Sequence, residues 1–445
     1  MLLITDVTAV TMDAERRVLS DAAVAIDGAR IAAVGKADAV VERFGDAERL
    51  PGRGMVALPG LIDAHAHADQ SLLRGRTDDL PWVPFLADWI DPYLQGRDPA
   101  DAVEAYRLTM LEMLRSGTTC FVSPNVDPRD DLAALVDAIG TMGLRAVLAH
   151  WVDGPEALET ASGAVERWDG AAVGRVRLRF GLDIPRLPGD RYQPSLYPAV
   201  ASRARELGSG IVSHFCSETE DWVYYEERFG LRPSQWAEGV GILGPSTLLI
   251  NGCWLTAVEA QVLAATGTPV VASPTATMKM ASGTTPVRDL RDAGVTVALG
   301  TDGAANNNGF DMWREMKTAC LAQNAARGRA GTLTAEDALE MATIEGARAL
   351  GVADELGSLE PGKRADVVLV DLARAHSWPA PDPVSNLVYA AHSGNVDTVI
   401  VDGTVLLRDG APVGVDEERV LDEAALAAAR VAALLPERTP RWPRL

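Results

Sequence analysis

Between residues 55 and 302 the chain alternates eight short apolar runs with stretches of helical periodicity, and this alternation restricts its fold more than any other feature. The runs cover 55–67, 118–123, 145–151, 176–183, 210–217, 247–254, 268–274 and 295–302. The stretches between them, such as 98–116, 130–143, 196–208, 256–267 and 286–294, mostly end at glycine, the usual helix stop. Strands that are apolar throughout and joined by helices imply a parallel sheet covered on both faces. Eight such units imply an α/β chain closed as a (β/α)8 TIM barrel.

Both ends of the chain read differently. Residues 2–12, 22–26 and 30–34, with a turn at Asp27-Gly28, look like antiparallel strands, and 365–370, 396–401 and 405–407, with a turn at Asp402-Gly403, repeat the style. The expected organisation is a small β-sandwich domain built from both termini, 1–57 with 358–445, beside a barrel over 58–357. Two further helices are expected at 311–327 and 334–350, and an Ala-rich amphipathic one at 422–435.

Composition narrows the function. With 47% apolar and 23% charged residues, the 445-residue chain has the make-up of an ordinary globular protein with a large core. Its 41 basic residues face 62 acidic ones, a formal charge of -21, which argues against nucleic acid or a polyphosphate held on a broad basic surface. No run approaches the length of a membrane span, and residues 1–6 lack the basic and apolar blocks of a signal peptide, so the expected location is cytoplasmic. Cys120, Cys216, Cys253 and Cys320 form no CxxC pair and fit reduced thiols.

Catalytic groups of such barrels sit at the C-terminal ends of the strands. His65 and His67 end the first run, and residues two apart on a strand share a side, so both imidazoles can reach one metal. His214 lies near the end of the fifth run and Asp302 ends the eighth. Three of only six histidines thus join an aspartate at one mouth, a set able to hold a zinc-like ion with a position left for water. Asp302 can then serve as ligand and as proton acceptor.

The segments Leu58-Pro59-Gly60-Leu61-Ile62-Asp63-Ala64-His65-Ala66-His67 and Ala298-Leu299-Gly300-Thr301-Asp302-Gly303-Ala304-Ala305-Asn306-Asn307-Asn308 resemble the amidohydrolase superfamily. Met278 to Gly283 and Gly357 to Asp366 extend the likeness over nearly the whole chain. It is most similar to the branch of purine, pyrimidine and triazine aminohydrolases, which includes atrazine chlorohydrolase and S-adenosylhomocysteine deaminase. The resemblance implies one divalent ion, zinc or iron, on His65, His67, His214 and Asp302. It also implies a small heterocyclic substrate and, by default, a homodimer, with no role for nucleic acid or membrane.

Two positions depart from that pattern. The glutamate that usually follows the fifth-strand histidine by three residues is Ser217 here, and Glu218 stands one place later. Glu218 can replace it only where a bulge or the strand's end turns its carboxylate inward. The sixth-strand histidine is matched by Asn251, which exchanges hydrogen bonds but no protons at neutral pH. Loss of one acid/base group costs roughly 10²–10⁴ in rate.

His150, at the end of the third run, is the candidate replacement, and Gln70 and Trp89 are expected in the substrate wall after the first strand. Trp82, Trp222 and Trp254 are placed to stack on a flat ring.

The reading that follows is a metal-dependent hydrolase of a C–N or C–halogen bond in a heterocyclic or amidine-like molecule. Asp302 and Glu218 are its catalytic pair, and Asn251, Ser217, His150, Gln70 and Trp89 its substrate contacts. A lyase or cyclase using the metal as Lewis acid is the alternative. A silent binding protein would have no need to keep four ligands.

Overall fold

In the computed structural model, which describes residues 1–185 and 193–437, the strands fall into two sheets. The chain opens with β1 (Leu2–Val10), β2 (Val18–Asp27), β3 (Arg30–Lys36), β4 (Glu48–Pro51) and β5 (Val56–Pro59). Eight parallel strands follow in sequential order: β6 (Leu61–Asp63), β7 (Thr118–Val126), β8 (Arg145–Trp151), β9 (Val176–Gly181), β10 (Ile211–Phe215), β11 (Thr247–Asn251), β12 (Val270–Ala272) and β13 (Val297–Leu299). The first and last of these meet where the Ala64 N–H donates to Leu299 O (2.9 Å) and the Asp302 N–H to His65 O (2.8 Å). The sheet is therefore rolled into the (β/α)8 barrel that the eight-fold alternation implies.

Pleating sorts the apolar residues of each strand into two sets. Ile62, Val122, Val147, Val212, Leu248, Ile250, Val271 and Ala298 pack together in one cluster with Ala347 and Leu350 of the helix Ile344–Leu350. Their neighbours, among them Leu61, Phe121, Leu148, Ile211, Leu249 and Val297, belong to the larger core that includes the surrounding helices.

The second sheet joins the chain's two ends. β14 (Val367–Val370), β15 (Val396–Val401), β16 (Thr404–Arg408) and β17 (Ala411–Pro412) extend from β5, and on its other side come β1, β2 and β3, with β4 paired to β1. β5 is parallel to β1 and antiparallel to β14, so one short strand carries the contact between sequence ends.

Three expectations are corrected. Residues 55–67 are not one strand: the chain leaves the terminal sheet at Pro59 and enters the barrel at Leu61, with the Gly60 N–H donating to Asp366 O (3.0 Å) between them. A Cβ on Gly60 would lie 2.1 Å from Thr119 Oγ1, so the crossing needs glycine. The helix expected at 334–350 is two, Ala335–Met341 and Ile344–Leu350, broken at Thr343. The last helix, Glu417–Ala432, begins earlier than expected and packs on the barrel side. Its buried stripe includes Ala424, Ala427 and Val431, which meet Leu72, Phe85 and Ala105 on the barrel side, and Arg430 pairs with Asp101 of the helix Pro99–Arg115. Residues 438–445 of the expected terminal unit lie outside the described residues.

No described helix is long and apolar enough to cross a membrane. All four cysteines are free and buried.

Barrel and terminal sheet are tied by a buried charge network. Arg145, at the start of β8, donates from Nε to Asp366 Oδ2 (2.8 Å) and from Nη2 to Asp366 Oδ1 (3.1 Å), and also bonds Asp402. Asp402 is further held by Arg175 at 3.2 Å and Arg364 at 3.3 Å. Removing one partner from such a cluster strands the others, which typically costs about 3–5 kcal/mol. Arg145→Met is therefore expected to lower unfolding stability by about that amount in a denaturant titration, and Arg364→Met, at a half-buried position, by much less.

Candidate metal and substrate site

Four residues meet at the C-terminal mouth of the barrel. His214 is on β10 two residues after Val212, and therefore on the barrel-interior side. His65 and His67 do not lie on the strand, as the sequence suggested, but in the extended segment just beyond β6. They converge nonetheless: the ligand nitrogens of His65, His67 and His214 all lie within 4.8 Å of one another. Asp302 Oδ1 is 3.3 Å from His65 Nε2 and 3.6 Å from His67 Nε2.

The arrangement fits a metal ion. His67 Nε2 and His214 Nε2 face each other at 3.3 Å, and two ligands each about 2.0–2.1 Å from one tetrahedral ion stand about 3.4 Å apart. Neither ring nitrogen of fully buried His65 makes a hydrogen bond, and ligation through one of them would satisfy that nitrogen. Burial pushes the His65 and His67 imidazoles below their ordinary range, towards the neutral form that binds metal. Burial alone would raise the Asp302 carboxyl, but the imidazoles of His65, His67 and His214 outweigh it and hold the group well below the usual carboxylate range.

Sequence reasoning missed the residues that hold these side chains in place. Asp183 Oδ1 accepts from the His214 backbone N–H (2.9 Å) and lies 3.1 Å from His214 Nδ1, which directs Nε2 at the cluster. Asp63 accepts from Thr301 Oγ1 (2.6 Å), Thr301 N–H (3.0 Å) and His65 N–H (3.3 Å). Full burial raises its carboxyl to about 7 against those hydrogen bonds. Asp183 ends the fourth run, so its place at a strand end was the available signal; nothing in its spacing separates it from an ordinary turn residue.

Above the cluster lies a cavity of about 620 Å³. Gln70, Ser217, Glu218 and Asn251 line it, as expected. The chain departs from strand geometry after Phe215: Cys216 is left-handed (φ 48°) and Glu218 stands at the N-cap of the helix Thr219–Phe229. This is how a carboxylate one place late reaches the site. Ser282 Oγ donates to Glu218 Oε1 in a short hydrogen bond, a partner the sequence did not single out. Asn251 is also left-handed (φ 73°), a conformation asparagine tolerates. Leu248 and Ile250 point into the barrel, so strict alternation would send Asn251 outward; the left-handed turn frees it from that rule. Its Nδ2 donates to Ser217 Oγ (3.3 Å), and its Oδ1 has no partner.

Two expected contacts are corrected. His150 does not face this cavity but lines a separate groove with Asp130, Thr160 and Trp168. It follows Ala149, a member of the barrel-interior cluster, so alternation along β8 turns it to the helix side. Trp89 is buried against Leu72, Phe85 and Tyr93, because its helical segment presents Trp82, Leu86 and Ile90 to the cavity instead. Trp82 does line the cavity; Trp222 and Trp254 do not.

The model of the amidohydrolase family matches residues 56–406. The chain is 35% identical over 435 residues to 5-methylthioadenosine/S-adenosylhomocysteine deaminase of Pelotomaculum thermopropionicum, covering 97% of this chain and 98% of that protein. It is 34% identical to 5'-deoxyadenosine deaminase of Methanosarcina mazei, with coverage of 97% and 98%. Among solved structures, an adenosine deaminase from Xanthomonas campestris with bound zinc superposes with a TM-score of 0.92, 29% identity and coverage of 97% and 98%. Atrazine chlorohydrolase from Arthrobacter aurescens complexed with zinc gives 0.86, 26% identity and coverage of 96% and 100%.

Removing a carboxylate that orients a ligating histidine typically costs about 10–100-fold in metal affinity. Asp183→Ala is expected to weaken divalent-ion binding by that factor in a chelator competition titration, while Asp153→Ala, on the cavity rim, leaves it unchanged.

Proposed function

The chain belongs to the amidohydrolase family and is a metal-dependent hydrolase, and on that premise we propose that it removes an amino group, or a halogen, from a flat nitrogen heterocycle, an aminated purine-type ring foremost. The non-hydrolytic alternative gains no support from the deaminases and the chlorohydrolase it resembles. The observation that carries the reading is the cluster of three imidazoles and Asp302 at the floor of one cavity, which His67, His214, Asp302 and Glu218 line.

In this reading His65, His67, His214 and Asp302 hold a single ion, with zinc the metal that both solved relatives contain. When bound, the ion lowers the pKa of a water towards about 7 and so makes a nucleophile available at neutral pH. Asp302, whose Oδ1 lies beside His65 and His67, accepts the proton that the attacking water gives up. Glu218, oriented by Ser282, carries a proton to the ring nitrogen beside the attacked carbon. As the new C–O bond forms and the C–N bond breaks, the proton held by Asp302 passes to the departing amino group, which leaves as ammonia, while the proton placed on the ring nitrogen stays in the product.

Asn251 does not share in that traffic. It lines the cavity with Gln70 and contacts the substrate there, its amide fixed by donation to Ser217 Oγ. Trp82 and Tyr197 offer aromatic faces to the ring.

Metal analysis of the purified protein, before and after stripping and reconstitution, is expected to return about one divalent ion per chain, lost in His214→Ala. Glu218→Gln is expected to keep the ion and to lower kcat on aminopurine substrates by roughly 10²–10⁴. Unchanged turnover in Glu218→Gln would remove Glu218 from the mechanism.

A further inference from the structure

The backbone that carries Asp302 is held by a carboxylate that the reaction itself does not use. Glu315, fully buried on the helix Met312–Arg327, accepts from Asn307 Nδ2 through Oε1 (2.8 Å) and from the Thr275 N–H through Oε2 (3.1 Å). Among the described residues no lysine or arginine pairs with it, unlike buried Asp130, met by Arg97, and Asp101, met by Arg430. Burial raises its carboxyl to about 7, with Asp63 adding to the rise and the hydrogen bonds from Thr275 and Asn307 opposing it. A buried carboxylate without a cation is costly for folding, so stability alone does not account for it.

Asn307 passes the hold on to Asp302. Its Nδ2 also donates to Thr301 O (2.5 Å) and its backbone N–H to Gly303 O (2.8 Å), so it grips the carbonyls of the residues on either side of Asp302. Thr301 O belongs to the peptide whose other edge, the Asp302 N–H, donates to His65 O (2.8 Å). That peptide is therefore fixed at both edges. Its plane sets the left-handed φ of 64° from which the Asp302 side chain leaves towards His65 and His67.

Glu315 decides which way the Asn307 amide points. Thr301 O and an ionised Glu315 can only accept, so the NH2 group must face them, and Asn307 Oδ1 is left buried without a partner. In Glu315→Gln the side-chain oxygen stays with the Thr275 N–H and the new amide turns to Asn307, whose own amide flips to offer Oδ1. Thr301 O then loses its donor, and the peptide before Asp302 is released.

We propose that Glu315 is a positioning residue for the metal site: acting through Asn307, it fixes the peptide plane that aims Asp302 at His65 and His67. The inference rests on the ligand role given to Asp302 above and not on the choice of substrate ring.

The test is read at about pH 8, where Glu315 is ionised. Glu315→Gln is expected to change the visible absorption bands of bound cobalt(II), which report ligand geometry, and to weaken cobalt binding by about 10–100-fold in chelator competition. Because the effect runs through Asn307, adding Glu315→Gln to Asn307→Ala is expected to change neither readout further. Arg145→Met, which destabilises the fold away from the mouth, is expected to leave both at their original values.

Original bands and affinity in Glu315→Gln, effects that add fully to those of Asn307→Ala, equal effects from Arg145→Met, or loss of folding in both Glu315→Gln and Asn307→Ala would overturn the proposal. If one of those two variants fails to fold, the other decides by its spectrum. Bands unchanged in Asp302→Ala would remove Asp302 from the ligands and the proposal with it; bands changed in Asp302→Ala but not in Glu315→Gln overturn the proposal alone. Changed bands in Glu315→Gln, with no turnover of aminopurines by the unaltered protein, sustain it and overturn the choice of ring instead.

Discussion

Asp63, fully buried at the end of β6, accepts hydrogen bonds from His65 on its own strand's extension and from Thr301 beyond β13. That seam, with Ala64 bonded to Leu299 and Asp302 to His65, closes the first barrel strand on the last. Three of the four clustered residues, His65, His67 and Asp302, lie within a few residues of it. A slip of one residue would carry Asp302 away from His65 and His67, since register fixes which side each residue faces. Gly300 shows how tight the seam is: a Cβ there would lie 2.6 Å from His65 Cβ and 2.7 Å from His65 N.

Around this seam the site uses two kinds of backbone. His214 comes from regular strand geometry and inherits its direction from the pleat. Asp302, Asn251 and Cys216 are left-handed, with φ of 64°, 73° and 48°, and each stands at or just beyond the end of a barrel strand. Such conformations cost of order 1–3 kcal/mol each unless the surroundings enforce them. Here they are enforced by the seam, by Thr285 Oγ1 donating to Asn251 O (2.5 Å), and by Asp221 accepting from the Ser217 and Glu218 N–H groups at 2.7 and 3.0 Å. The barrel body supplies stability, and its rim supplies directions that a regular strand could not.

Much of this was legible beforehand. The eight apolar runs announced the barrel because parallel strands buried on both faces have no polar side to show. His65, His67, His214 and Asp302 stood out because histidine is scarce and all four fall at run ends. Gln70 and Asn251 were expected among the substrate contacts, and the structure puts both on the cavity. His150 and Trp89 were misjudged for one reason: nearness to a strand end or loop says which residues are close to the site, whereas the side a residue faces depends on parity along β8 or angle around a helix. Asp183 and Ser282 were missed because each acts on a partner distant in sequence, His214 and Glu218, which only tertiary contact identifies.

By itself the sequence determined the barrel, the joining of its two ends in a second sheet, and the meeting of His65, His67, His214 and Asp302 at one mouth, because hydrophobic periodicity and the chemistry of histidine and aspartate are local properties. Tertiary structure alone decided that Glu218 reaches the cavity from one residue late, that the last helix packs on the barrel, and that Ser282 meets Glu218. Each of those outcomes turns on a backbone angle or on a distance between segments far apart in the chain. Local preference sets neither of them; the closed packing of the whole barrel does.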